Sequence, residues 1–414
     1  MPTEKAVPID RAGVTRATEA AGVPASLSGR LLRAFLRVMG DPCVRFVLWN
    51  GDVVQGGDGE PVATLHIADA RTLWRFVSHS ELAFGEAFTD GQIKVEGDLV
   101  RLMEVAYQAQ PHPIARQILQ REPKPRANSR SGSRDNIHRH YDLGNDFYRL
   151  WLDRGMVYTC AYFPTPDTPL DEAQIAKMEH VCRKVDLRPG DKVVEAGCGW
   201  GSLALYMARC RGARVRAFNI SREQIEFARE RAKAEQVGDL VEFVEDDYRN
   251  ISGHYDVFMS VGMLEHVGPD HYGELGRVID RCLPAHGRGL IHTIGRNRPQ
   301  RVNAWIEKYI FPGAMPPTLR QMMDIFEPFQ LSVLDVENLR LHYAKTAQHW
   351  LERFLAHRSE VAKMFDERFA RMWQLYLSGT IAGFTSATLE LFQVTFARVM
   401  HNQMPWTRAH LYQE

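Results

Sequence analysis

The sequence predicts an α/β protein, a doubly wound, largely parallel sheet of the Rossmann-like kind, with a small α+β domain in front of it. Three observations carry this. Short apolar runs alternate with amphipathic helical stretches from Lys192 to Gly295, a glycine-rich turn follows the first of those runs, and a Pro-, Arg- and Ser-rich stretch over 110–135 parts this region from the chain before it. Strand–helix alternation argues for parallel strands joined by crossover helices. At 414 residues the chain can hold two or three such units.

Residues 1–29 are polar and Ala-rich and read as a flexible leader. The opening MPTEKAVPIDRAG lacks the charged-then-apolar order of a secretory signal, and nowhere do roughly eighteen apolar residues run together, so a cytoplasmic chain is expected. In the small domain, 30–109, FVLWNGDVV followed by ATLHIA reads as paired strands around the Gly-rich turn QGGDGE. The stretch 110–135 cannot bury enough apolar surface to order itself and reads as a linker. Its Arg121, Lys124, Arg126, Arg130 and Arg134 form either a solvated basic stretch or an approach to anionic lipid headgroups.

In the remaining 136–414, KVVEA, RVRAFNI, VEFVED, YDVFMSV and GRGLIHTI read as strands. SLALYMARC, SREQIEFARERAKAE and GELGRVIDRCL read as the helices between them. The C-terminal part reads as mainly helical. Its aromatics, Trp350, Phe354, Phe365, Phe369, Trp373, Tyr376, Phe384, Phe392 and Phe396, read as core.

Charge is balanced, 51 basic residues against 51 acidic, which gives no support for a nucleic-acid partner. The six cysteines are scattered without a C-x-x-C, so neither a zinc site nor a disulfide framework is indicated. The His138-x-His140 pair is too generic to argue for a metal.

Glu195-Ala-Gly197-Cys198-Gly199-Trp200-Gly201 lies where a strand turns into a helix. Glycines there let backbone approach a ligand, and the helix N-terminus offers free N–H groups, although a tight turn needs glycine for its own sake. A dinucleotide site wants G-x-G-x-x-G and an acid ending the second strand. Here the spacing is G-x-G-x-G and the second strand ends Ala217-Phe218-Asn219-Ile220-Ser221 without an acid, which disfavours NAD. An acid before such a turn is what class I methyltransferases present to S-adenosylmethionine. Ser221 and Gln224 also fit a capping box, and Asp246-Asp247-Tyr248 closes the third strand at the carboxyl edge of the sheet.

Taken in order, YDLGNDFYRLWLD (Tyr141 to Asp153), VYTCAYF (Val157 to Phe163), EAGCGWG, NISREQ, EDDY, VGMLEHVG (Val261 to Gly268) and HTIG (His292 to Gly295) resemble the bacterial cyclopropane-fatty-acyl-phospholipid synthases and, less closely, the mycolic acid cyclopropane synthases. The resemblance runs from Asn136 to Phe396, and EAFTDGQIKVEGDL (Glu86 to Leu99) resembles the small N-terminal domain of the phospholipid enzymes. It implies a class I methyltransferase fold, S-adenosylmethionine as co-substrate and an unsaturated phospholipid chain as acceptor. It also implies peripheral contact with the inner face of the membrane and a homodimer.

Carried over residue by residue, the resemblance implies donor contacts at Tyr158 and Thr159, along Val193, Glu195, Gly197, Cys198, Gly199, Trp200 and Gly201, at Asn219, Ile220, Ser221 and Gln224, and at Asp247 and Tyr248. It implies that Cys160, Glu265, His292, Ile294 and Tyr343 hold a bicarbonate ion beside the sulfonium. Thr380 stands where some relatives carry a late cysteine, so covalent catalysis from that position is not implied; EDDY, unlike the Trp-Glu of the mycolic branch, favours the phospholipid branch.

An isolated alkene is a poor nucleophile, so the chemistry needs a strong methyl donor held in line with water excluded. Attack leaves a carbocation, and a proton must leave the new methyl group before a ring closes; bound bicarbonate is the family's acceptor. Aromatic faces stabilise a cation by about 0.5–2 kcal/mol each, and Tyr162, Phe163, Tyr309 and Phe311 are candidates. The segment WIEKYIFPGAMPP suits an acyl channel, a membrane-facing lid or ordinary packing. Two alternatives stay open: methylation ending in a branched chain, and a lipid-binding protein without catalysis.

Overall fold

The computed structural model describes residues 26–109 and 143–412. The expected linker with its basic residues, and the His138-x-His140 pair, lie outside them.

The first helix, α1 (Leu27–Val38), starts ahead of the expected boundary because Ser26 caps it, accepting from the Gly29 N–H at 3.0 Å. Leu32 and Leu36, one turn apart, face inward. Strands β1 (Arg45–Leu48), β2 (Val53–Gln55) and β3 (Ala63–Ile67) follow. Helices α2 (Ala70–Ser78) and α3 (Ser80–Thr89), strand β4 (Ile93–Gly97) and helix α4 (Leu99–Gln108) complete the domain. Its four-stranded sheet runs β2-β1-β3-β4. One expectation is corrected here. The hairpin lies within FVLWNGDVV, turning at Asn50-Gly51 with Gly51 at φ +87°, and β3 then pairs with β1 in parallel, so QGGDGE does not join neighbouring strands. Asn-Gly is the tighter hairpin turn. The parallel register also sets Phe46 against Leu65 and Leu48 against Ile67 on one buried face.

The second domain opens with α5 (Asn145–Arg149) and α6 (Leu170–Lys184). Then come β5 (Lys192–Ala196), α7 (Ser202–Arg211), β6 (Arg214–Asn219), α8 (Arg222–Ala234), β7 (Val241–Glu245), β8 (Val257–Val261), α9 (Tyr272–Cys282) and β9 (Arg288–Gly295). After these lie α10 (Ala304–Tyr309), α11 (Leu319–Phe326), β10 (Leu331–Asn338), α12 (Arg340–Ala356), α13 (Arg358–Met364), α14 (Glu367–Thr385) and β11 (Glu390–Arg398). The seven-stranded sheet runs β10-β11-β9-β8-β5-β6-β7, parallel from β9 to β7, with β11 antiparallel to both β9 and β10. The doubly wound expectation holds.

The mainly helical reading of the C-terminal part misses β10 and β11. Strand β11 is paired on both sides and buried from Glu390 to Ala397; its Phe392-Gln393-Val394-Thr395-Phe396 alternates apolar and polar, a strand signal that the helical reading passed over. Of the aromatics assigned to core there, Phe365 is 38% exposed and stacks on the partly buried Phe369 at 4.1 Å, while the others are buried.

Successive sheet residues feed opposite cores: Val193, Val215 and Met259 on one face, Val194, Phe258 and Ile291 on the other. A third apolar cluster, built on Trp151, Trp350 and Trp373, continues into Phe46, Leu65 and Phe76 of the small domain. The small domain is therefore docked. Glu86 accepts from Lys308 at 2.8 Å, Tyr309 at 2.9 Å and Arg75 at 2.5 Å, and Arg371 donates to the Thr89 carbonyl at 2.7 Å. Burial raises the Glu86 pKa, but those hydrogen bonds outweigh it and hold the carboxyl below its ordinary value. No helix among the described residues is long and apolar enough to cross a membrane.

Candidate active site

The chain leaves β5 toward β6 and β7 on one side and returns to β8 and β9 on the other, so the crevice beyond the carboxyl ends of β5 and β8 is where an open α/β sheet takes its ligand. A cavity of about 140 Å³ lies there. Tyr158 and Thr159 line it from the segment before α6, Glu195 from the end of β5, and Gly197, Cys198, Gly199 and Trp200 from the turn after it. Asn219, Ile220 and Gln224 line it after β6, and Asp247 and Tyr248 after β7.

Three of the residues expected to contact the donor are not in its lining. Val193 is wholly buried near the start of β5, away from the ligand edge. Gly201, at φ +83°, allows close packing: a Cβ there would come within 2.7 Å of Phe243 and 2.8 Å of Ala228. Ser221 is wholly buried and caps α8, accepting from the Gln224 N–H at 3.4 Å. The capping box is only half made, because the Gln224 side chain accepts from Asn219 Nδ2 at 2.7 Å instead. At Gly199, φ +53°, a Cβ would meet nothing within 4 Å, so the turn presents bare backbone to open space.

Two ionisable groups face each other across the crevice. Glu195 is 2% exposed, its Oε2 has no hydrogen-bond partner, and burial pushes its pKa up to about 7 against the opposing effect of Lys177. Lys177 is 1% exposed and donates to Thr159 Oγ1 at 3.0 Å; burial pulls its pKa down to about 8 although Asp153, Cys160 and Glu195 act to raise it. The sequence reading missed Lys177. Its signal was a lysine on the apolar stripe Ala173, Lys177, Val181 of α6, the pattern of an amphipathic helix interrupted by one charge.

A second cavity, about 260 Å³, shares Tyr158, Thr159, Gly262 and His266 with the first, so the two meet at a common wall. Glu265, Ile294 and Tyr343 line it, and so do Phe311, Tyr376 and Thr380. Glu265 is 6% exposed, and its Oε1 accepts from the Ile294 N–H at 2.6 Å while Oε2 has no partner. Burial pushes its pKa up to about 7. The Tyr158 and Tyr376 hydroxyls lie 2.8 Å apart, and Tyr376 was also missed. His266, on the shared wall, is kept neutral by burial, its pKa pulled down to about 4. The Thr380 hydroxyl donates to the Tyr376 carbonyl at 2.8 Å.

His292 and Cys160 do not line this cavity. His292 sits in β9 with Nδ1 3.1 Å from Gln393 Nε2, and burial holds its pKa well below the usual imidazole value. Its Nε2 is buried without a partner. The Cys160 thiol donates to the Ala161 carbonyl at 3.1 Å, and burial pushes its pKa up, so no thiolate forms there. Of the four aromatics suggested for cation stabilisation, Phe311 alone lines the cavity. Tyr162 is stacked between His180 and His342 at 4.3 and 4.9 Å, Phe163 stacks on His349, and the Tyr309 hydroxyl is committed to Glu86. The fit to a small oxyanion rests on Glu265, whose Oε2 is a buried polar atom without a partner on a carboxyl able to hold a proton near neutrality; His292 Nε2 is a second such atom, on a neutral ring, but lies outside the cavity lining.

Comparison with known proteins agrees with this geometry. The family described as mycolic acid cyclopropane synthetase matches residues 128–394, and a domain of unknown function matches residues 31–117. The chain is 41% identical to the cyclopropane-fatty-acyl-phospholipid synthase of Escherichia coli, over 64% of this chain and 68% of that protein. It is 34% identical to a probable fatty acid methyltransferase of Pseudomonas putida over 89% of this chain and 96% of that one. It is 34% identical to the tuberculostearic acid methyltransferase of Mycobacterium tuberculosis over 91% and 92%. Among solved structures, a mycolic acid cyclopropane synthase complexed with SAH and CTAB superposes with a TM-score of 0.61 at 27% identity, covering 64% of this chain and 98% of that one. A donor crevice at the switch point of a class I methyltransferase sheet, opening onto a buried carboxyl, thus coincides with a match across most of the second domain, and the chain belongs to the mycolic acid cyclopropane synthetase family of S-adenosylmethionine-dependent transferases.

Proposed function

We propose that the protein transfers a methylene group from S-adenosylmethionine to the cis double bond of an unsaturated phospholipid acyl chain, giving a cyclopropane fatty acid. The observation that carries the reading is the shared wall: the donor crevice meets a cavity that combines aromatic rings with one buried carboxyl, Glu265. A sulfonium held against the Gly197 to Gly201 turn, with Glu195 beside it, would face an alkene in the second cavity across Tyr158, Thr159 and Gly262. The alkene carbon bonds to the methyl carbon as the S–CH₃ bond breaks, and S-adenosylhomocysteine leaves. The cation that forms on the acyl chain lies among Tyr158, Tyr376 and Phe311, whose ring faces stabilise it without trapping it. A proton must then leave the new methyl group, and the C–H electrons close the ring.

Bicarbonate, when bound, supplies the acceptor for that proton. Of the residues expected to hold it, Glu265 and Tyr343 line the cavity and would do so, Glu265 by presenting a carboxyl whose burial favours the protonated form, while the Ile294 N–H is given to Glu265 and fixes that carboxyl in place. Neutral His292 and His266 lower the risk of repelling the cation. An acyl chain reaches such a site by leaving a bilayer, so peripheral docking on the membrane belongs to the same proposal.

A second reading, methyl or methylene branching, is favoured by the two methyltransferase relatives, which align over both domains where the synthase aligns over 64% of the chain. One experiment separates the readings. The protein is expressed in a host without its own synthase, and its phospholipid acyl chains are examined by mass spectrometry and proton NMR. Ring-methylene protons are expected; a branched chain selects the second reading, and unchanged lipids overturn both.

A further inference from the structure

The small domain encloses a third cavity of about 580 Å³, larger than the catalytic cavity and within the roughly 300–1,000 Å³ range of ligand sites. Its walls are apolar, with Phe35, Met39, Leu65, Phe76, Phe84 and Leu102 prominent. It does not end at the domain boundary. Eight residues, among them Glu81, Tyr107, Gln300, Arg301 and Asn303, line both this chamber and the catalytic cavity, so the two join at a neck between the domains.

The neck is basic. Arg296 lines its catalytic side and Arg298 its chamber side, with Arg301 on both. Arg296 is only 8% exposed; its Nη1 donates to Gln300 Oε1 at 3.3 Å and the Arg301 carbonyl at 3.1 Å, but its Nε has no partner. No carboxylate among the described residues comes within ion-pair distance of it. Glu81, the one acid at this neck beside three arginines, is exposed and accepts weakly from the Ala304 N–H at 3.4 Å. Burial lowers the Arg296 pKa from its ordinary value, with Tyr107 and Glu81 acting against that, and the group stays a cation. A hydrocarbon chain threading this neck would pass an incompletely satisfied guanidinium and give it nothing. An anion seated there would complete it.

We infer that the small domain is the receptacle for the second acyl chain of a diacyl phospholipid, whose phosphodiester sits at the Arg296–Arg298–Arg301 neck while its unsaturated chain enters the catalytic cavity. This rests on the phospholipid reading above. It assigns a ligand-binding role to a segment whose family match carries no function. It also makes diacyl phospholipid, rather than a free acid, the preferred substrate.

Tryptophan quenching tests this on the full chain, because Trp305 lines the chamber and not the catalytic cavity. Vesicles are made from a phospholipid with one cis-unsaturated chain and one saturated chain carrying vicinal bromines, which quench an indole on contact. The share due to Trp305 is the difference between the unmodified protein and Trp305→Phe. That share is expected to be large, and to fall in Ala106→Phe, which narrows the chamber. Ala106→Phe should also lower kcat/KM for a diacyl phospholipid about tenfold relative to the monoacyl phospholipid carrying the same unsaturated chain. Arg296→Gln should weaken binding of phospholipid but not of an unsaturated fatty acid methyl ester, which has no phosphate. Absence of Trp305 quenching, equal quenching by a brominated free fatty acid, or an unchanged diacyl preference overturns the inference. Product analysis on the same samples keeps the two proposals apart: converted lipid without Trp305 quenching sinks only the chamber, and quenching without conversion sinks the proposed reaction.

Discussion

Glu265 offers a test in which stability and catalysis move in opposite directions. Its carboxyl is moved from an ordinary value of 4.5 up to about 7 by burial, so the folded chain holds a proton that the unfolded chain has released between those values. A group whose folded pKa is raised in this way makes the fold lose stability as pH rises through the window, because the native state binds more protons there. The size is the shift multiplied by 1.36 kcal/mol per unit, about 3 kcal/mol, reached once pH exceeds about 7. Glu265→Gln removes the titration while keeping an oxygen to accept from the Ile294 N–H, at present 2.6 Å from Oε1. Urea unfolding of both proteins, followed by tryptophan fluorescence from pH 4 to 8 without donor, should show the variant gaining about 3 kcal/mol relative to the parent across the series. Any pH-independent penalty for the buried amide cancels from that slope. Turnover should meanwhile fall on the order of a hundredfold to a thousandfold, as expected when a preorganised polar group beside developing charge is lost, with S-adenosylmethionine affinity retained. A flat stability difference would mean the carboxyl is ionised throughout and solvated by something unrecognised. Turnover within a small factor of the parent would remove Glu265 from the chemistry.

Three further perturbations probe other parts of the assembly. Gly199→Asp places a bulky anion where a Cβ would point into open space at φ +53°, and is expected to abolish donor binding while circular dichroism stays unchanged; calorimetry giving parental affinity would refute the placement of the donor. Lys177→Met removes the one positive neighbour that opposes burial at Glu195, so Glu195 should be more protonated at pH 7 and donor affinity about tenfold weaker, recovering toward pH 8.5; an unchanged affinity at both values would refute the pairing. Glu86→Ala leaves Lys308 and Tyr309 without their shared acceptor and should cost about 1–3 kcal/mol while speeding proteolysis between the domains; identical unfolding and cleavage would show that apolar contact alone holds the small domain in place.

The parallel half of the large sheet was readable because its strands are short apolar runs, and β5, β6 and β8 are each followed by a helix before the next strand, so both periods show in the sequence. The two C-terminal strands were not. Strand β11 lies between two antiparallel neighbours with both faces covered, and its alternation, Phe392-Gln393-Val394-Thr395-Phe396, is only five residues long and follows closely on the helical stretch of α14, which is where the helical reading carried through. In the small domain β1, β2 and β3 fall within the two runs read as strands, β4 was not read, and the pairing was missed, because strand pairing depends on where the chain crosses. Nothing in QGGDGE records that β3 passes to the far side of β1.

The same distinction separates the two halves of the active site. The donor crevice is written in contiguous stretches, each a strand end and the turn after it, so EAGCGWG, NISREQ and EDDY carry both the residues and their mutual position. The acceptor cavity draws Glu265, Ile294, Phe311, Tyr343 and the α14 pair Tyr376 and Thr380 from five separate segments, which only the folded chain brings together. The charge states in and around the site depend on burial, which no motif states: the raised pKa of Glu265, the neutral state of His292 and the depressed pKa of Lys177 in the donor crevice each follow from desolvation. Resemblance supplied the names Cys160 and His292 without their orientation, and neither lines the cavity: the thiol donates to the Ala161 carbonyl and the imidazole Nδ1 lies against Gln393. A substitution at Cys160 that preserves volume, such as Cys160→Ser, should therefore disturb turnover far less than Glu265→Gln, because the thiol is inward-facing and un-ionised whereas the carboxyl is at the cavity wall. Steady-state rates on vesicle lipid for the two variants decide the point, and an equal loss in both would place the Cys160 side chain back among the reacting groups.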